Sequence, residues 1–212
     1  MGKRKERSAN PKKEAPPAWK LAYQKIDSGP LYRLAYEVVV YCSNDYPIAK
    51  NDWAYVSNDG HIYLNPHREA TVSEWEYIIS HCLLHLGFGH FQKDRLQDPA
   101  WVSACDLVVA KFLKDSHIGT PPPEYQRELP FPVKDEEQTW QRLAESPIPC
   151  GVFSTMSSGR ADMVWKETKD TTDYVELFAK SLQCSIRDTL RTAKGLPLER
   201  SYFRDRAEYM EA

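Results

Sequence analysis

The chain has 212 residues, 42% of them hydrophobic and 12% aromatic, with a formal net charge of −2. That suits one domain of above-average size, or a domain with tails, of ordinary globular composition. The near balance of charge argues against wholesale nucleic-acid binding. No run approaches the roughly 18 apolar residues needed to span a bilayer. The start Met1-Gly2-Lys3-Arg4-Lys5 has no apolar segment behind it, as a secretory signal requires. Gly2 suggests myristoylation, but that motif wants Ser or Thr where Glu6 stands. Five cysteines (Cys42, Cys82, Cys105, Cys150, Cys184) form no C-x-x-C pair and are odd in number. They read as reduced thiols, so a soluble cytoplasmic protein is expected.

Residues 1–18 carry Lys3, Arg4, Lys5, Arg7, Lys12 and Lys13 among Pro, Ser and Asn. With nothing to bury, they read as a disordered basic arm, either a solubilising tail or a contact for nucleic acid or an acidic partner. Leu31, Leu34, Ala35, Val38 and Cys42 recur at helical spacing and predict a helix over 30–43. Trp53–Val56 and His61–Leu64 flank Asn58-Asp59-Gly60, the pattern of a β-hairpin, and Pro66 stops its second strand. Ser73 with Glu76 reads as a capping box opening a helix that Gly87 and Gly89 end. A further helix is predicted at 99–114, with Trp101, Cys105, Val108, Val109, Phe112 and Leu113 on its apolar face. Prolines make 115–134 an extended surface loop. A short helix is predicted at 135–145, and residues 146–170 are polar with little periodicity. The last helix starts at Asp173, turns Leu177, Phe178, Leu182, Ile186 and Leu190 inward, and stops at Gly195 and Pro197. The organisation expected is a folded domain over 19–195, with 196–212 as a C-terminal tail or linker.

The chemistry concentrates in His81-Cys82-Leu83-Leu84-His85. Residues four apart share a helix face, with Cβ atoms about 5–6 Å apart, so two imidazoles can grip one ion. Catalytic zinc takes three protein ligands and keeps a position for water. Two residues are candidates for the third ligand. His90 follows two glycines that can turn the chain back. Asp106 lies in the apolar frame Trp101–Val109, where an unpaired carboxylate costs several kcal/mol, of the order expected for a buried charge, unless a cation compensates it. Asp106 is favoured, with His90 as a partner behind the ligands or an alternate ligand. His61, His67 and His117 fall in hairpin, turn and loop, and no role is assigned to them.

Three matches, in order, resemble a bacterial metallopeptidase domain of zincin-like type, usually found ahead of a von Willebrand factor A-like domain. Asn58-Asp59-Gly60 with Ile62, Tyr63, Asn65 and Pro66 is similar to the family's strand ending in Asn-Pro. His81-x-x-x-His85 with Gly89-His90 is similar to its H-E-x-x-H-x-x-x-G-H helix, and Trp101 through Asp106 to its Trp-x-x-Ala-x-Asp segment. The resemblance covers roughly residues 30–125. It implies an α+β zincin-like fold with helices packed on a small sheet or hairpin. It also implies a Zn2+ ion on His81 and His85 with Asp106 as third ligand, a peptide or protein substrate, and a von Willebrand factor A-like or ATPase partner. The chain ends about where the second domain would begin, as in a stand-alone variant or an excised domain.

Cys82 departs from that pattern, because it stands where the family has its general-base glutamate. Losing one positioned acid–base group costs roughly 10²–10⁴-fold, and a thiol is shorter than Glu. Three readings stay open. Cys82 is a small filler in a retired peptidase; or another carboxylate, Glu74 or Glu76, serves as base; or the sulfur is a ligand. The first is favoured: a metallopeptidase-like zinc-binding domain, catalytically impaired. A peptide carbonyl would be presented along the edge of the 53–65 hairpin by strand addition. The alternative is a protein-interaction module on the same scaffold, with metal structural or absent. The retired site predicts that Cys82→Glu creates or greatly raises hydrolysis.

Overall fold

The computed structural model describes residues 15–125, 127–149, 152–155, 160–169 and 172–192. Among these, six helices surround a small mixed sheet: α1 (Ala18–Asp27), α2 (Tyr32–Tyr36), β1 (Val39–Cys42), β2 (Ala54–Ser57), β3 (His61–Leu64), α3 (Val72–Gly87), α4 (Pro99–Asp115), α5 (Glu136–Glu145), β4 (Met163–Val164) and α6 (Tyr174–Thr192). The sheet order is β1-β3-β2-β4. β2 and β3 form the antiparallel hairpin read from the sequence, Ala54 facing Leu64 and Val56 facing Ile62. Gly60 turns it at φ 82°. A Cβ on Gly60 would meet the Phe178 ring at 2.7 Å, so α6 closes directly over the turn.

α3 is the axis of the molecule, touching α1, α2, α4, α6 and β2. Every residue from Trp75 to Gly87 is buried, so this helix is core on all sides rather than amphipathic. α4 starts where Asp98 caps Ala100 N at 2.9 Å and Pro99 supplies a pre-set first turn. One apolar core runs from Ala22 on α1 to Ile186 on α6. Among the described residues, no helix is long and apolar enough to cross a membrane. Cys42, Cys82, Cys105 and Cys184 are free thiols.

Several expectations are corrected. The helix over 30–43 ends at Tyr36, and 39–42 is a strand pairing parallel to β3. The run Val38-Val39-Val40-Tyr41 is β-branched and aromatic, and a sheet edge next to β3 outweighs the helical spacing. The capping box of α3 is Thr71 with Glu74, not Ser73 with Glu76. The sequence holds two overlapping matches, and Thr71 wins because its backbone is extended there. Ser73 instead meets Thr120 at 2.9 Å, and Glu76 pairs with Lys25 at 2.6 Å. Ala18, the last residue of the expected arm, begins α1, a helix the sequence reading passed over. Most of the expected basic arm (1–14), the stop at Gly195 and Pro197, and the 196–212 tail lie outside the described residues.

Candidate metal centre

His81 and His85 lie one turn apart in the most deeply buried stretch of α3, both fully buried. Their Nε2 atoms stand 2.9 Å from each other. Asp106 reaches them from the middle of α4, with Oδ1 at 3.6 Å from His81 Nε2 and 3.4 Å from His85 Nε2. Asp162, just before β4, closes the fourth side. Its Oδ2 lies 3.2 Å from His81 Nε2 and its Oδ1 3.6 Å from His85 Nε2. One donor atom from each of the four residues falls within 4.8 Å of every other, and all four side chains are buried.

The donor set fits a small dication. A tetrahedron with metal–ligand bonds of about 2.0–2.1 Å has edges of about 3.3–3.4 Å. The two imidazole nitrogens are 2.9 Å apart and each has carboxylate oxygens at 3.2–3.6 Å, Asp162 meeting His81 through Oδ2 and His85 through Oδ1. Asp106 is 1% exposed, and neither of its oxygens accepts a hydrogen bond. A carboxylate so placed is costly unless a cation faces it. Two carboxylates and two neutral imidazoles carry −2, which one dication would neutralise. Without an ion, burial alone would lower the pKa of His81, but the carboxylates of Asp106 and Asp162 outweigh burial and raise it to about 9. For Asp162 burial pushes the other way, and the imidazoles of His85 and His81 hold it well below the ordinary carboxylate range.

His90 stands outside this group, behind His85. α3 ends in a Schellman turn: Gly89 N donates to Leu86 O at 3.1 Å, and His90 N to His85 O at 3.1 Å, with Gly89 at φ 72°. That turn swings the His90 ring against His85, Nδ1 to Nδ1 at 2.9 Å, while His90 Nε2 meets Glu136 Oε1 at 3.0 Å. Proton bookkeeping gives the chain a direction. His90 Nε2–H donates to Glu136, so His90 Nδ1 is an acceptor for His85 Nδ1–H, and His85 Nε2 turns a lone pair to the group of four. Such partners orient a metal-binding histidine and raise its basicity. His81 Nδ1 has no matching partner.

Cys82 is not one of the four donors; it is fully buried, with Sγ 4.0 Å from Thr155 Oγ1. Burial first, then the charge of Asp162, pushes its thiol well above the usual range, so it stays neutral. Thr155 N donates to Asp162 Oδ2 at 2.8 Å, and the single Thr155 hydroxyl proton is shared between Asp162 Oδ2 at 2.9 Å and Ala54 O at 2.7 Å. The same stretch of chain lines the outer edge of β2: Trp53 N donates to Thr155 O, Val56 N to Asp162 O, and Asn58 N to Val164 O. Strand addition along the hairpin is therefore corrected. β3 is paired on its far side by β1, and the edge of β2 is taken by this chain's own residues. Glu74 and Glu76 are corrected as alternative bases too, since one holds the helix cap and the other Lys25.

Asp162 and Glu136 are the residues that sequence reasoning missed. Asp162 sits in a polar stretch with no periodicity, ahead of a two-residue strand that no pattern could announce. Glu136 looks like any acid in a helix's first turn. No protein-family model, curated protein or solved structure matches this chain.

Proposed function

We propose that the chain is a zincin-like, metallopeptidase-like zinc domain in which the hydrolytic site is shut. His81, His85, Asp106 and Asp162 would hold the ion, and Glu136 acting through His90 would orient His85. The observation that carries this reading is Asp106: a buried carboxylate without a hydrogen bond, facing two imidazole nitrogens 2.9 Å apart. Zinc at an open position lowers the pKa of bound water towards about 7. Four protein donors are the pattern of structural zinc sites, which keep no such position. Cys82 supplies no base, because its thiol is neutral and turned towards Thr155. The domain would then serve as a rigid scaffold in the cytoplasm for a peptide or protein partner, the von Willebrand factor A-like or ATPase partner of the family resemblance included.

Metal analysis of untagged protein tests the reading. One equivalent of zinc is expected, lost on His81→Ala and reduced on Asp162→Ala. Protein purified without a chelator that holds no zinc, and takes up none on titration, would remove the reading. The second reading, an interaction module with no metal, predicts that outcome.

A further inference from the structure

Where α4 ends, the chain makes the same Schellman turn as at α3: His117 N donates to Lys114 O at 3.2 Å, and Ile118 N to Leu113 O at 3.0 Å. The position that Gly89 fills in α3 is here filled by His117, at φ 52°. Among the described residues it is the one non-glycine with positive φ. A side chain in that conformation is strained, and glycine is the residue the turn prefers. The imidazole it keeps lies on the rim of a cleft of about 340 Å³.

The cleft has a built interior. Leu113, Ile118, Leu129 and Phe153 give an apolar floor, with Tyr77 and Tyr125 on the walls. Lys114 and Arg127 join His117 at the exposed rim, and among the described residues no acid lines it. Asp115, next to Lys114 on α4, is paired with Lys111. The loop forming one wall is clamped to α3: Thr120 N donates to Ser73 O at 3.0 Å, and a Cβ on Gly119 would meet Tyr77 N at 2.4 Å. Volume, apolar floor and a few polar groups at the rim are those of a small-molecule site, and the site is already formed, which lowers the cost of binding.

We propose that this cleft binds a small organic anion, a carboxylate or phosphate head on an apolar or aromatic body, with the head held by Lys114, Arg127 and His117. The proposal stands apart from the zinc reading, since it uses no residue of the four-donor group. Full-length protein is titrated with 4-phenylbutyrate, phenyl phosphate and the neutral 4-phenylbutyramide, following amide shifts by NMR. Saturable binding of either anion is expected, with the tighter one naming the head group and the amide at least tenfold weaker. Lys114→Ala with Arg127→Ala should weaken the better anion at least tenfold. His117→Gly should raise the melting temperature, by relieving the turn, and weaken binding about threefold or more. An amide that binds as well as the anions, a double variant of unchanged affinity, a His117→Gly protein of unchanged affinity, or no saturable binding would each overturn it.

Discussion

Replacing Asp106 by Asn should change the sign of its effect on stability when zinc is added. In chelated protein two buried carboxyl groups, Asp106 and Asp162, face His81, whose pKa is about 9. His81 lies closer to Asp162 (3.2 Å) than to Asp106 (3.6 Å), so Asp106 is the less tightly paired of the two. Neither Asp106 oxygen has a hydrogen bond to offset its burial. Asn keeps the shape and polarity but drops the charge, and relieving the charged part of that desolvation penalty recovers about 1–3 kcal/mol. At about 2–4 °C per kcal/mol for a chain of this size, the metal-free Asn variant should melt about 2–12 °C above wild type. With free zinc at roughly a thousand times its dissociation constant, wild type gains about 4 kcal/mol. Asn brings no charge to the ion and gains far less, so the order of the two melting temperatures inverts. Calorimetry of both proteins, with chelator and with buffered zinc, reads this directly. An Asn variant below wild type in both conditions would refute the reasoning and leave Asp106 an ordinary structural residue.

Glu136→Gln should weaken zinc binding about 10–100-fold, as loss of such an outer partner does; a competition titration against a chromophoric chelator measures it, and unchanged affinity would count against the Glu136–His90–His85 chain. In chelated protein His81 has a folded pKa (about 9) above its unfolded value of 6.5, so its contribution to stability is complete below pH 6.5 and is lost as pH rises through 9. Asp162 works in the opposite sense: its depressed pKa gives stability present above the unfolded value of 3.8 and lost as pH falls below it. Chemical melts from pH 3 to 10, in wild type and His81→Gln, should show the alkaline loss only in the former. Cys82 should resist alkylation in the native state, being buried and neutral, and react only on unfolding; rapid native labelling of Cys82, located by peptide mass, would contradict its packing against Thr155.

The parts of the site carried by long helices were legible in the sequence because helix spacing is a local property. His81 and His85 share a face by their separation alone, and Asp106 stood out as a carboxylate in an apolar frame. The hairpin was legible for the same reason, its turn written in Asp59-Gly60. What escaped depends on contacts far along the chain. β1 was read as helix because Leu31, Leu34, Ala35 and Val38 keep helical spacing, and only pairing with β3 draws 39–42 into the sheet. Asp162 is placed by hydrogen bonds to Thr155 and by a two-residue pairing with β2, neither of which leaves a period. His90 is intermediate. The glycines announced a turn, but whether the ring would join the ligands or stand behind them depended on the Schellman geometry.

Cys82 and Asp162 are best understood together. Position 82 lies in a negative field: after burial, Asp162 is the largest influence raising the thiol pKa, and Asp106 adds to it. A glutamate there would bring a third carboxylate to a site that one dication, or one imidazolium, already has to balance. It would also have to displace Thr155, whose N–H and hydroxyl hold Asp162 in place. Cysteine meets both conditions, being small enough to pack at 4.0 Å from the threonine hydroxyl and neutral in that field. On the proposed reading, absence of a base and closure by Asp162 are one arrangement seen from two residues. On this account Cys82→Glu alone should leave hydrolysis of a general peptide substrate absent and lower stability. Opening the site needs Asp162→Ala as well, which removes the fourth donor and the carboxylate that most opposes a charge at position 82. Hydrolysis by the single Glu variant, equal to that of the double, would show that Asp162 does not shut the site.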